Sequence, residues 1–208
     1  RYGTVTGVQT CALPIWGKLF NMKCVINHPA MQANGFLRCA AGLFKAVIIP
    51  TITYSSECWF GMTKGMIKDM ERKYHKMLCK LIDIPISTRY TSVLTELNMS
   101  KLETIIDAQK ICFINSIIRK DASTDTTKQL LKHDQEEVEK FNEKIRKSKA
   151  KKKPKEKESI YDEVVRLCNK HNIPSIFQCN MGNETIKSMI KKNETINNWR
   201  SEEHTSEL

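Results

Sequence analysis

Between Thr63 and Ile82 the chain reads TKGMIKDMERKYHKMLCKLI, with Met66, Ile67, Met70, Tyr74, Met77, Leu78, Leu81 and Ile82 recurring at intervals of three and four. That period places them on one face of an α-helix and predicts an amphipathic helix with its apolar stripe turned into a core. Off that stripe, Lys68, Arg72, Lys76 and Lys80 follow one another at steps of four, with Lys73 beside them. Residues four apart are neighbours on a helix surface, and like charges so placed cost about 0.2–0.5 kcal/mol per pair. Asp69 and Glu71 lie close by, but no acidic residue occupies an i+4 position that would neutralise the row.

Lysine-rich helix faces are ordinarily just solvated; the unmatched charge here makes an external anion the sharper expectation. A helix of about nineteen residues is ~28 Å long, enough to follow roughly eight base pairs of phosphate. Contacts of that kind position a protein without reading base sequence. A rival expectation from another class is a non-enzymatic helical interaction module, whose basic amphipathic helix docks in an acidic protein groove.

The terminal segments need separating before composition is used. Val5 to Ile15 reads VTGVQTCALPI and Arg200 to Leu208 reads RSEEHTSEL. Both resemble conceptual translations of a common short-read library adapter on its two strands, and the expectation is that 1–16 and 200–208 are adapter-derived and disordered, the protein between them being a piece of a longer one. The whole chain carries 34 basic and 23 acidic residues. Residues 1–16 hold one basic and no acidic residue and 200–208 hold one basic and three acidic, so the remainder carries 32 and 20, a net +12. The basic character therefore belongs to the central part.

About 180 residues suit one or two small domains. An apolar content of 40%, with 7% aromatic residues and eight glycines, favours a mainly α fold over a sandwich or barrel. The longest apolar stretch, Cys39 to Tyr54, is interrupted by Lys45 and Pro50, so no membrane span is expected. With Cys11 set aside, seven cysteines remain, odd in number and scattered. Cys58, Cys79, Cys112 and Cys168 sit in apolar helical text as free thiols would, which points to a reducing, intracellular setting, cytoplasmic and nuclear.

Along the chain, Phe36 to Ile49 is helix-like at first and β-branched later, which leaves open one helix or a helix and a short strand. A short helix is expected from Tyr90 to Leu97, and Ser100-Lys101-Leu102-Glu103 reads as a capping box. The helix it opens is apolar nearly all round and is expected to be the most buried of its domain. From Lys128 to Arg146 a helix carries only a thin stripe, Leu131, Val138, Phe141 and Ile145, and is expected to stand partly free in solvent. Arg146 to Lys157 holds eight basic residues against one acidic and reads as a disordered linker. Beyond it, Ser159 caps a helix to Asn169, and Asn183 caps a last one ending near Lys192. The expected organisation is a thumb-like helical domain over 17–120, a charged helix and basic linker over 121–158, and a small helical segment over 159–199.

Leu43-Phe44-Lys45-Ala46-Val47-Ile48-Ile49-Pro50, followed by Tyr54 and Glu57-x-Trp59, resembles the segment just after the polymerase palm in reverse transcriptases of non-LTR (LINE-type) retrotransposons, where an apolar run and Pro precede Tyr-Gly-Ser-Glu-x-Trp. Ser55 stands at the usual Gly. Arg72 to Leu81 is similar to that family's Arg/Lys- and Leu-rich helix, and Ser87 through Ile118 to its helices over the template–primer. The resemblance spans roughly 35–118. It implies a fragment of an RNA-directed DNA polymerase that holds an RNA–DNA hybrid or duplex through backbone phosphates, beside an upstream palm of the same polyprotein. Lys68, Arg72, Lys73, Lys76 and Lys80 are the expected contacts, with linker residues Lys151, Lys152 and Lys153; Pro50, Tyr54, Glu57 and Trp59 carry the family motif. Tyr54 or Trp59 could stack on a sugar or base, though burial is the plainer expectation for either.

The parent enzyme would use two Mg2+ ions on converging aspartates. Here Asp69, Asp83, Asp107, Asp121, Asp125, Asp134 and Asp162 are isolated, with no Asp-Asp pair. The fragment is therefore expected to lack catalytic residues, to hold no cofactor and to be inactive alone. Asp121 and Asp125, in a Ser/Thr loop, read as a helix start. Cys168-x2-His171-x7-Cys179 offers three of the four ligands of a zinc knuckle, the fourth being absent unless Cys112 or His133 supplies it. A decayed element making no stable protein is the remaining alternative.

Overall fold

The computed structural model describes residues 35–119, 126–147, 159–177, 179 and 181–206. Among these the chain is helical, with no strand. The mainly α fold expected from composition is what the chain adopts.

The described residues form two compact units. One comprises 35–55 and 64–103, the other 56–63 and the residues from 104 onward. The division falls at the second residue of a long helix, and the described part of 159–199 lies in the second unit.

The first unit opens with α1 (Phe36–Leu43), which runs through a π-helical turn (Phe44–Ile48) into α2 (Ile49–Ile52). The open choice between strand and helix is settled for helix. Pro50 lacks an N–H and its ring crowds the carbonyl four residues back; the wider turn just before it relieves that crowding, and Ile49 N–H bonds Phe44 O instead of Lys45 O. α3 (Lys64–Ile82) is the amphipathic helix, and α4 (Tyr90–Glu96) follows it.

Tyr74 of α3 is the centre of this unit. Fully buried, it meets Phe44 edge-on at 5.5 Å and Tyr90 at 6.3 Å. Its hydroxyl donates to Ser100 O at 3.4 Å, while Tyr90 Oη accepts from Leu102 N–H at 3.4 Å. Two tyrosine hydroxyls thus fix the approach to the next helix.

α3 and α4 end alike. Ile84 N–H returns to Cys79 O and Met99 N–H to Leu94 O, with Asp83 and Asn98 left-handed at φ +60° and +47°, the geometry that closes a helix onto its last carbonyls.

In the second unit α5 (Leu102–Arg119) carries the core from Thr104 on. Ile111, Cys112, Ile114 and Ile117 pack with residues of α7 (Ile160–Lys170) and α8 (Asn183–Ser206), among them Val164, Leu167, Cys168, Ile186 and Ile190. This agrees with α5 as a most buried helix, but its lining is not all apolar: Asp107, Lys110 and Asn115 are buried too.

α6 (Thr126–Lys147) is exposed along most of its described side chains, as expected of a helix partly free in solvent, and is tied down along a narrow line. Val138 is buried, Leu131 packs on the core, and Asp134 Oδ2 accepts from Ser159 Oγ at 2.6 Å and Tyr161 N–H at 3.1 Å, sharing the cap of α7 with Ser159. α8 runs past Lys192 to Ser206, so 200–206 are helical where irregular chain was expected. No Gly or Pro follows Asn183 to stop it.

Asn183 does not cap α8 as expected. It opens the helix, and its side chain is taken up by Asn115 Nδ2 (2.7 Å) and Ser116 Oγ (2.8 Å).

Candidate nucleic-acid interface

α3 separates its two faces. Tyr74, Met77, Leu78 and Leu81 are buried on one side, and Lys68, Arg72, Lys73, Lys76 and Lys80 are exposed; Cys79, also buried, is the exception on the side of the row. An i, i+4 step turns the helix by 400°, so successive members of the row drift by about 40° and form a shallow spiral opposite the buried stripe. From Lys68 to Lys80 the spiral rises ~18 Å, about five phosphates of one strand.

The expectation of a wholly uncompensated row does not hold at Arg72, and Lys80 too is engaged within the chain. Arg72 Nη1 lies 2.8 Å from Asp69 Oδ1, three residues earlier rather than four. Both side chains are largely exposed, at 74% and 65%, so the pair is solvated and readily exchanged for a stronger anion. Lys68, Lys73 and Lys76 make no ion pair among the described residues. Lys151, Lys152 and Lys153 lie outside the described residues.

The family-motif residues divide between the units. Pro50 is exposed in α2, and Tyr54 beyond it is 79% exposed, contrary to the expected burial. Ser55, at the usual Gly, takes the left-handed φ of +56° that Gly adopts without strain. Glu57 lies in a 3-10 turn, Ser56–Cys58, and Trp59 N–H closes it on Ser56 O; both side chains are half-buried. These two belong to the second unit, as the segment 56–63 does.

That segment is strapped down by groups the sequence did not single out. Lys110 Nζ lies 2.7 Å from Glu163 Oε1 and over the Phe60 ring at 5.3 Å. Glu163 Oε2 accepts from Gly61 N–H at 2.9 Å, and Ser56 Oγ bonds Gln109 Oε1. The available signal was a cation and an anion, Lys110 and Asp107, three residues apart inside apolar text. Partners for them could not be read from spacing.

The described aspartates hold structural posts. Asp107 Oδ2 takes both Lys170 Nζ (2.7 Å) and His171 Nε2 (2.9 Å). Burial pushes its carboxyl up, but those two partners outweigh burial and hold it below the ordinary value. Asp69 serves Arg72, Asp134 caps α7, Asp83 closes α3, and Asp162 lies in the first turn of α7. Asp121 and Asp125 lie outside the described residues.

The zinc-knuckle trio is not assembled. Cys168 is in the core, Cys179 is exposed, and His171 is spent on Asp107. The two residues considered as a fourth ligand are placed elsewhere, Cys112 buried with its Sγ 3.7 Å from Asn183 O and His133 exposed on α6. Burial also pushes the Cys112 and Cys168 thiols up, away from the thiolate a metal requires. Among the described residues no three His, Cys, Asp or Glu side chains converge, and no helix is long and apolar enough to cross a membrane.

No protein-family model matches this chain, and no curated protein or solved structure matches it significantly.

Proposed function

We propose that this chain is a thumb-like, post-palm fragment of a non-LTR reverse transcriptase that grips a template–primer duplex through its backbone phosphates. The observation that carries this reading is the division of labour on α3: Tyr74 and Leu78 are spent inside the first unit, which leaves Lys68, Arg72, Lys73, Lys76 and Lys80 as the face offered to a partner. The resemblance of Leu43–Trp59 to the post-palm segment supplies the family. A groove-docking helix would offer its apolar stripe to the partner; here the C-terminal half of that stripe, Tyr74, Met77, Leu78 and Leu81, is already buried, while Met66 near its start is exposed. The polymerase chemistry belongs to the palm, and this fragment supplies grip rather than catalysis.

The test replaces Lys68, Arg72, Lys76 and Lys80 together by Gln and follows binding of an RNA–DNA hybrid against salt. Each phosphate contact contributes about 0.9 to the slope of log K against log salt, so the slope should flatten by about 3.6, or by about 2.7 if Arg72 stays with Asp69. An unchanged slope would remove the gripping role.

A further inference from the structure

We infer that Tyr54 is a stacking platform for an unpaired or terminal base of the strand whose phosphates α3 holds, an inference that rests on the gripping role proposed above. Tyr54 is 79% exposed, and no described residue pairs with it.

Its backbone is held on the N-terminal side. Thr53 N–H and Thr53 Oγ1 both bond Ile49 O at 2.9 Å, with Thr53 itself buried. Ser55 after it occupies a left-handed conformation that non-glycine residues seldom adopt. The turn that displays the ring is thus anchored at Thr53.

The cations of its own unit point to the occupant. Tyr54 belongs to the same unit as the cation row. A cationic track with an exposed aromatic is the combination by which proteins hold single-stranded nucleic acid without reading sequence, the track taking phosphates and the ring taking a base face. A phenol can stack only on a base whose face is free, which restricts the site to an overhang, a frayed end or a single strand.

The experiment uses the full chain, a fluorescently labelled single-stranded oligonucleotide, and the same oligonucleotide with abasic positions, so that charge is matched and only base faces differ. Wild type should bind the base-bearing strand about five- to tenfold more tightly or better. Tyr54→Ala should erase that preference while leaving affinity for the abasic strand unchanged, and Tyr54→Phe should retain it. The exposed position makes the fold insensitive to either change, which circular dichroism checks. Equal wild-type binding to the two strands, or a preference that survives Tyr54→Ala, would overturn the stacking role and leave the grip intact. Failure of wild type to bind either strand would overturn the stacking role, and the salt titration with the RNA–DNA hybrid decides the grip separately.

Discussion

Lys110 Nζ lies 2.7 Å from Glu163 Oε1, with the two side chains 3% and 12% exposed, and the same carboxylate receives Gly61 N–H through its other oxygen. One buried carboxylate thus joins α5, α7 and the 56–63 segment of the second unit. Buried ion pairs contribute little net stability, because desolvation offsets attraction, yet removing one partner strands the other. Glu163→Ala should therefore cost about 3–5 kcal/mol in urea unfolding followed by circular dichroism. A loss below about 1 kcal/mol would mean that Lys110 finds solvent instead.

Asp107 sets an acid limit on the same unit. Its carboxyl lies below the ordinary value because His171 and Lys170 outweigh the effect of burial. A depressed folded value stabilises the fold above the ordinary carboxylate value of 3.8, and the contribution is lost as pH falls through the folded value. Wild-type stability should drop steeply below about pH 4, and Asp107→Asn should be less stable at neutral pH but flatter across that window. Parallel wild-type and Asn profiles in an acid titration of urea midpoints would contradict this.

Ser55 occupies a left-handed conformation at φ +56° where the resembled family carries Gly. Gly removes the Cβ strain and gives back part of the gain as chain entropy, so Ser55→Gly should stabilise by about 0.5–1 kcal/mol. Ser55→Val should destabilise by more than about 1 kcal/mol. Thermal melts check both, and a Gly variant that melts below wild type would show that the Ser55 side chain has a role of its own.

The helices were legible where one periodicity ran uninterrupted. α3 declared both faces because apolar and cationic residues each keep a three- and four-residue rhythm, and Ser159 announced α7 through its cap. Three features were not legible for physical reasons. The division between units falls inside α5, where the sequence changes neither period nor composition. Burial of Asp107 and Lys110 depends on His171, Lys170 and Glu163, more than fifty residues away, and pairing at that distance leaves no local trace. Tyr54 ends an apolar stretch of sequence that argues for burial, yet it is exposed, at the point where the chain leaves α2 for a turn.

The central claim is that the outward face of α3, and not positive charge in general, meets nucleic acid. Lysine acetylation read by mass spectrometry, with and without a bound RNA–DNA hybrid, addresses it directly, because exposed Lys187, Lys191 and Lys192 on α8 serve as controls within the same chain. The account predicts that the hybrid protects Lys68, Lys73, Lys76 and Lys80 severalfold while the α8 lysines keep their reactivity. Equal protection of both sets, or none on α3, would contradict it.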